Sequence, residues 1–298
     1  MSRSSFIRLI LLAAIWGSSF LFMRIAAPVL GAVWVAELRL VLGALFLATV
    51  GLYLSKKLEV GKYWRHYLTL GLFDSAIPFL LFAWAAQTLS ASLLAILNAT
   101  APIWGAAIAS VIGRQPLTAR ILVGLSLGAI GVTILVGFDM SVSSPHSMLA
   151  VTAVLGASFC YGIASNYAFS APAVGSFNNA SGSIWASVLL LLPVMAFFPV
   201  AEIPNTGIVS AVFALGVICS GVAYLIYFRL IEDEGATSAL SVTFLVPVFG
   251  VLWGYIFLDE AIGWHTLTGA AVVLAGIVLV TGLSLRTLRG RIKPLARE

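Results

Sequence analysis

The sequence predicts an all-α polytopic membrane protein whose ten transmembrane helices form two inverted five-helix repeats. Three observations lead to this fold class. Of the 298 residues, 61% are hydrophobic and 9% are charged, whereas soluble globular proteins have about 45–50% apolar and about 25% charged residues. The apolar residues fall into ten runs of about 20, the length that a helix needs to cross a bilayer. The second half also repeats glycines and prolines of the first half at a constant offset.

The predicted spans follow one another with short connections. They cover residues 6–26, 33–54, 67–88, 91–111, 118–137, 147–169, 178–199, 207–229, 236–257 and 264–285. The first span has the basic head and apolar run of a signal peptide, but no clear small-residue cleavage site follows it. Because nine more spans come after it, we interpret it as the first transmembrane helix. The connections leave no room for a soluble catalytic domain.

Basic residues are concentrated in alternate connections. If the N-terminus lies in the cytoplasm, every lysine and arginine except Arg24 and Arg39 falls on the cytoplasmic side. The positive-inside rule therefore predicts a multi-pass membrane protein with both termini in the cytoplasm. The formal net charge of +5 is then explained by attraction of these loops to anionic lipid, and we expect no nucleic-acid partner.

An offset of 145 residues aligns "LNATAPIWGAA" with "VTFLVPVFGVL". The matched pairs are Ala91 with Ala236, Pro102 with Pro247, Gly105 with Gly250, Gly124 with Gly269, Gly131 with Gly276 and Gly137 with Gly282. Each half holds five helices, an odd number, so the second half enters the membrane in the opposite orientation. Inverted repeats are typical of secondary transporters. We place the first repeat at 1–144 and the second at 145–298, which includes a basic cytoplasmic C-terminal tail.

Three stretches resemble the EamA family of the drug/metabolite transporter superfamily. "WGSSF", which starts at Trp16, is similar to an early signature of the family, and "ELRLVLGALFL" is similar to its arginine-bearing second helix. The stretch 236–280 resembles the proline-bearing ninth helix and the Leu-x-Glu turn that follows it. The first half departs from the pattern, because Gln115 stands where the family often has glutamate, so a symmetric role for Glu260 is in doubt. Within the family, the chain looks like aromatic amino acid exporters of the YddG type.

The clearly intramembrane ionisable residues are Glu37, Arg39 and Asp74. A charge at the bilayer centre costs roughly 2.5–3.5 kcal/mol on insertion scales, so such residues usually face a partner or a cavity. Structural ion pairing, substrate or proton handling, and snorkelling to an interface all remain open. Helical rise puts Arg39 and Asp74 each roughly 10 Å from opposite surfaces, which leaves a direct pair between them uncertain.

Three tryptophans lie near the middle of their spans: Trp16, Trp104 and Trp185. An indole N–H at that depth finds no water unless it faces a cavity or a protein partner. Trp16 shares a helix face with Phe20 and Met23. Ordinary packing explains each tryptophan by itself, whereas the three together favour an aromatic-lined cavity.

Polar stripes in the sixth and eighth spans contain Tyr161, and Tyr224 with Tyr227. Such stripes either bind neighbouring helices together or line a pathway. In the fourth span, Pro102 follows Asn98 by four residues, and a proline frees a carbonyl that needs another partner in a dry medium. This segment is either a packed kink or a gate.

Enzyme and pump motifs are absent: the sequence contains no HExxH, GxSxG or P-loop pattern. The histidines lie in loops or at span ends, and Cys160 and Cys219 lie within spans. We therefore expect no metal, cofactor or disulfide. The expected partners are a small-molecule substrate and membrane lipid. Gly124 and Gly128 form a GxxxG pair; by the family resemblance it packs within the chain, and we expect a monomer.

These observations predict a secondary transporter that exports small metabolites by alternating access, foremost aromatic or large apolar amino acids. The direction of transport rests on the family resemblance. The candidate substrate-binding residues are Trp16, Ser19, Met23, Asn98, Trp104, Tyr161, Trp185, Tyr224, Tyr227 and Ser241. The candidate gating or coupling residues are Glu37, Arg39, Asp74, Pro78, Pro102 and Pro247.

The alternative is a multidrug or nucleotide-sugar transporter of the same superfamily. A carrier of phosphorylated cargo needs several basic residues within its spans, and only Arg39 qualifies. An exporter of lipophilic cations needs an intramembrane carboxylate, which Glu37 and Asp74 supply. An intramembrane lipid-handling enzyme is a further alternative, for which no nucleophile, base or metal cluster can be assembled.

Overall fold

The computed structural model of the chain describes residues 2–281 except 115, 117, 140–143, 173, 201, 236–238 and 240. Within these residues the regular structure is entirely helical. Nine helices are long and apolar enough to cross a membrane, and a tenth is shorter. The spanning helices are α1 (Arg3–Leu30), α2 (Ala32–Tyr53), α3 (Val60–Ala85), α4 (Ala91–Val111), α5 (Ala119–Gly137), α6 (Pro145–Ser170), α7 (Ser176–Met195), α8 (Thr206–Glu234), α9 (Val242–Leu258) and α10 (Trp264–Thr281). The predicted fold class is confirmed.

Several helices extend beyond the predicted apolar runs, so those boundaries need correction. α3 begins at Val60 rather than at 67, because its first turns are amphipathic: His66 and Tyr67 are buried while the charged residues are exposed. A hydropathy criterion detects only the part of a helix that lies in hydrocarbon. α1 likewise starts at Arg3, where Ser2 caps its first turn. The predicted start of the ninth span at 236 and the basic tail lie outside the described residues, as does Gln115.

The short connections make successive helices run in opposite directions. We call the end of the bundle that carries the N-terminus the N side and the opposite end the far side. Hydrogen-bonding caps mark helix starts on both sides: Ser2 and Thr118 on the N side, and Ser90, Ser144 and Asn205 on the far side. Each cap side chain satisfies a backbone N–H that has no partner within its own helix.

α4 is interrupted in the middle, as its composition indicated. Its first segment, Ala91–Asn98, ends before Ala99, and its second segment, Ala101–Val111, starts with Pro102 near its N-terminus. The carbonyl of Leu97 accepts hydrogen bonds from the Thr100 hydroxyl (2.7 Å) and from the Ser158 hydroxyl of α6 (3.2 Å). Neighbouring side chains therefore satisfy the backbone that the break exposes.

Two π-helical segments occupy equivalent places in the two repeats. One is Gly71–Ala76 within α3, and the other is Ala214–Val222 within α8. The offset of 145 residues pairs Ser75 of the first with Ser220 of the second. π-Helical turns are rare and frequently occur at functional sites, so these segments direct attention to the space between α3 and α8.

The glycines of α5 and α10 bring the two helices into backbone contact. A Cβ atom on Gly131 would lie 2.8 Å from the backbone nitrogen of Val273 and 2.9 Å from the carbonyl oxygen of Gly269. Gly124 approaches the carbonyl oxygen of Gly276 in the same way. The GxxxG pair thus faces inward: Gly128 packs on Ile103 of α4, and the expectation of packing within the chain is confirmed.

A methyl group in this contact should destabilise the protein. We expect Gly131→Ala to lower the free energy of unfolding by roughly 1–3 kcal/mol, the usual cost of overpacking, because the neighbouring atoms belong to backbone. Gly137→Ala is the matched control on the same helix, since nothing lies within 4 Å of its added Cβ. Thermal unfolding in detergent measures both variants. An equal midpoint for the two would contradict the predicted backbone contact.

Candidate functional site

Half-buried aromatic side chains in the middle of the bundle outline an internal space, which we call the cleft. On the far side the core is tightly packed, and its buried residues include Ala26, Ala27, Leu30, Phe82, Ala85, Leu94, Leu97, Val151, Val154, Val212 and Leu215. Nearer the middle, Trp16, Tyr161, Tyr224 and Tyr227 are only half-buried. Because these rings contact other rings on neighbouring helices, we interpret their accessible surface as facing an internal space rather than lipid.

The N-side halves of the helices form two groups on either side of this cleft. In one group, Arg8 of α1 forms a salt bridge with Asp233 of α8, and α9 packs along α1. In the other, Arg114 beyond α4 donates a hydrogen bond to the Asn166 carbonyl of α6. In the described part of the chain, α9 packs against the first segment of α4 and makes little contact with the second.

Aromatic rings from α1 and α8 form one wall of the cleft. The ring centroids of Trp16 and Tyr227 are 5.3 Å apart, and those of Trp16 and Tyr224 are 6.4 Å apart. On the opposite wall, Tyr161 of α6 stacks with Phe82 of α3 at 6.1 Å. Such rings provide large apolar surfaces together with hydroxyl and N–H groups.

The side chain of Arg39, on α2, lies between Ser220 of α8 and Phe79 of α3. It is 7% exposed, and its Nε donates a hydrogen bond to the Ser220 hydroxyl at 2.9 Å. Its guanidinium carbon lies 3.7 Å from the ring centre of Phe79, and one Nη atom is 3.9 Å from the sulfur of Met23. It interacts electrostatically with Tyr161 and Tyr224. No carboxylate within the described residues forms a salt bridge with it.

Asp74 lies on the π-helical segment of α3. It is half-buried and interacts electrostatically with Tyr161, Tyr224 and Tyr227. Tyr161 and Tyr224 are therefore within electrostatic range of both Arg39 and Asp74, which form no salt bridge with each other. Ion pairing between Arg39 and Asp74, one of the open alternatives, is not realised in this conformation.

The structure brings together Trp16, Met23, Tyr161, Tyr224, Tyr227, Arg39 and Asp74. Trp104 meets the exposed ring of Phe159 edge to face, with the ring centroids 5.6 Å apart. Trp185 and Tyr224 pack against the same buried cluster of α2, α3 and α7 residues, which includes Phe79, so Trp185 borders this group. Glu37 is 1% exposed, and neither carboxyl oxygen has a hydrogen-bond partner within the described residues.

The smaller residues and the prolines occupy helix interiors and breaks. Ser19 is buried beside Cys219, Asn98 ends the first segment of α4, and Ser241 precedes α9. The prolines lie at helix interruptions or inside helices: Pro78 after the π-helical segment of α3, Pro102 at the break in α4 and Pro247 within α9. Both cysteines are free and buried.

Two features escaped the sequence analysis. Phe79 supports Arg39, but an isolated phenylalanine in an apolar helix carries no distinguishing signal. The sequence predicts a loop or span end at His66, whereas its side chain is buried and hydrogen-bonded to Tyr167 (3.2 Å) and Asn179 (2.7 Å) on the N side. The amphipathic pattern of "WRHYLTL" was the signal that could have extended α3 to include it. Among the described residues, no group of three or more His, Cys, Asp and Glu side chains is arranged to hold a metal ion.

Comparison with known proteins agrees with this architecture. PecM of Dickeya dadantii (strain 3937) is 24% identical over 254 residues, which cover 84% of this chain and 85% of that protein. The WAT1-related protein At3g02690, chloroplastic, of Arabidopsis thaliana is 27% identical over 279 residues, covering 89% and 66%. The uncharacterized transporter YoaV of Bacillus subtilis (strain 168) is 23% identical over 274 residues, covering 90% and 93%.

A solved crystal structure shares the fold, with a TM-score of 0.66 and 18% sequence identity over 96% of this chain and 99% of that chain. The EamA-like transporter family matches the sequence twice, at residues 4–137 and 148–282. Together the two matches cover most of the chain. This chain is therefore a multi-pass membrane protein that belongs to the EamA-like transporter family.

Proposed function

We propose that the chain exports small metabolites, foremost α-amino acids with aromatic or large apolar side chains. The observation that carries this proposal is that Arg39 and Asp74 both interact electrostatically with Tyr161 and Tyr224 but form no salt bridge with each other. An α-amino acid supplies both missing partners, because its carboxylate fits the guanidinium and its ammonium fits the aspartate. Trp16 and Tyr227 then offer ring faces to its side chain.

Charge balance favours this cargo over others. Opposite charges attract strongly in a cavity of low dielectric constant, and unpaired ones are costly there. A zwitterion pairs with both Arg39 and Asp74, whereas a phosphorylated sugar leaves Asp74 facing negative charge. A lipophilic cation leaves Arg39 facing positive charge.

The exporter of lipophilic cations is the second candidate, and one observation favours it. Glu37 is a buried intramembrane carboxyl that lacks any hydrogen bond in the described structure. Intramembrane carboxyls of this kind commonly bind cations or protons. This function requires Glu37 to be reached from the cleft.

The direction and location of transport complete the proposal. By the positive-inside rule, we propose that the N side faces the cytoplasm of a bacterial cell and that the protein lies in the inner membrane. We propose that cytoplasmic cargo enters between α9 and the second segment of α4, which make little contact with each other, and that alternating access releases it on the far side. The glycines of α5 and α10 pack against each other within one chain, so this surface is not free to join two chains. We therefore propose a monomer.

Flux into proteoliposomes tests the function. Purified protein is assayed with labelled phenylalanine, tryptophan and leucine, with tetraphenylphosphonium and with a nucleotide sugar, with and without a pH gradient. We expect transport of the amino acids and competition among them. Transport of tetraphenylphosphonium alone would establish the second candidate instead, and transport of the nucleotide sugar alone would overturn both.

A further inference from the structure

We infer that Ser220 and Phe79 are positioning residues that orient Arg39 toward the carboxylate of the cargo. This inference rests on the proposed function of the site. Ser220 is fully buried in the π-helical segment of α8. Its hydroxyl donates to the Leu215 carbonyl at 3.2 Å, which leaves an oxygen lone pair directed at Arg39 Nε.

Phe79 restricts the tilt of the guanidinium plane. Its ring covers one face of the group at 3.7 Å, an arrangement that stabilises a cation and keeps it flat against the ring. With Nε bound to Ser220 and one face covered, the N–H groups that remain for a ligand are those of the Nη atoms. A guanidinium edge held in this way matches the two oxygens of a carboxylate.

The internal repeat shows that an arginine held by a serine occurs in one half of the chain only. The offset of 145 residues pairs Ser220 with Ser75 and Arg39 with Ile184. Ser75 is fully buried, and its hydroxyl has no hydrogen-bond partner in the described structure. The half-site that would mirror Arg39 therefore has an apolar residue, so a cargo carboxylate has a single place to bind and the cargo binds in one orientation.

The pair of equivalent serines provides a matched test. We expect Ser220→Ala to raise the KM for phenylalanine about tenfold, the scale of one hydrogen bond to a charged group. The half-inhibitory concentration of phenylalaninamide, which lacks the carboxylate, should stay within about twofold. Ser75→Ala should change neither value, and Ser220→Thr, which keeps a hydroxyl, should restore phenylalanine binding.

Each outcome of this test decides a separate question. Equal loss of phenylalanine and phenylalaninamide in Ser220→Ala, or equal effects of the two serine variants, would overturn the positioning role. Failure of the unmodified protein to bind phenylalanine would overturn the proposed function itself, and the positioning role with it.

A different observation carries a second inference: we propose that Glu260 is a latch that holds the far side closed. Glu260 follows α9 in the second repeat, yet its carboxylate binds the start of α4 in the first. Its oxygens accept hydrogen bonds from the backbone N–H groups of Ala91 (2.6 Å) and Ser92 (3.0 Å), and from the Ser92 hydroxyl. These bonds join the two repeats at the rim of a far-side vestibule of about 540 Å³.

The inverted repeat explains why these bonds must break during transport. In this conformation α9 packs against the first segment of α4 and makes little contact with the second. When two inverted repeats exchange conformations, contacts on one side of the membrane are replaced by the equivalent contacts on the other. The far side can then open only if the start of α4 separates from the end of α9, where Glu260 lies.

Site-directed labelling tests the latch in oriented vesicles. Leu94, fully buried in the first segment of α4, is replaced by cysteine in a background without Cys160 and Cys219. We expect Glu260→Gln to raise labelling of this cysteine from the far side about tenfold, because hydrogen bonds to a charged group are lost. Glu202→Gln, an exposed change on the same side, is the control and should leave the rate unchanged.

A second cysteine separates opening from unfolding. At Tyr227, labelling from the N side should fall in Glu260→Gln as the conformations exchange, whereas unfolding would raise labelling at both positions. Unchanged labelling at Leu94, or a rise at both positions, would overturn the latch.

Discussion

Replacing Arg39 with methionine is expected to lower kcat/KM for phenylalanine transport about 100-fold. Truncating one partner of a buried, hydrogen-bonded charge pair costs roughly 2–5 kcal/mol, and about 1.4 kcal/mol corresponds to a factor of ten. The effect should be large because no other basic side chain lies within the described spans near the aromatic wall. Counterflow of labelled phenylalanine in proteoliposomes measures the loss.

Two further arginine variants separate charge from geometry. Arg39→Lys keeps the positive charge but cannot both bind Ser220 through Nε and present a planar edge, so it should retain part of the activity. Arg24→Met is the control: Arg24 donates to the carbonyl groups of Ala86 and Gln87, both at 2.9 Å, away from the cleft. It should leave the KM for phenylalanine unchanged. Normal transport by Arg39→Met would exclude a carboxylate-binding role for Arg39.

Replacing Asp74 with asparagine should remove the recognition of the amino group. The expected effect is a loss of about 100-fold in the preference for phenylalanine over 3-phenylpropionate, which lacks the ammonium group, by the same charge-pair argument. The reason is that Asp74 attracts the ammonium and repels a ligand that carries only a carboxylate. Competition of both compounds against labelled phenylalanine, or against labelled leucine, gives the ratio.

Glu37→Gln is the matched control for this change. Both residues are intramembrane carboxyls, but Glu37 is 1% exposed without a hydrogen-bond partner in the described structure, and it does not share a helix face with Arg39. It should leave the preference ratio as it is in the unmodified protein. An equal change in both variants would show that the ratio reports loss of any intramembrane carboxyl rather than ammonium binding.

The architecture was largely predictable because its signals are local and repeated. Apolar runs reveal spans wherever a helix must bury its backbone in hydrocarbon, and the paired glycines revealed the repeat. That these glycines join α5 to α10 became clear only in the structure. The same criterion missed the N-side turns of α3, since an amphipathic segment that contains His66 has no long apolar run.

The site was predictable only in part. The helical spacing in the sequence shows that Trp16 shares a face of α1 with Met23, and that Tyr224 shares a face of α8 with Tyr227. Arg39 and Asp74 are conspicuous because charges in a membrane are costly. Trp104 has the same depth and residue type, yet it packs against Phe159, because depth along a helix does not specify which neighbour a face meets.

For this protein, the sequence by itself determined the number of spans, the inverted repeat and the sparse set of intramembrane charges, since each depends on composition or spacing along one chain. The tertiary structure alone decided the surroundings of those charges. Arg39 and Asp74 belong to different helices, and the packing of α2, α3, α6 and α8 brings Tyr161 and Tyr224 within electrostatic range of both. The π-helical segments and the contact of Glu260 with α4 likewise depend on distant neighbours, because hydrogen bonds between repeats leave no periodic trace in the sequence.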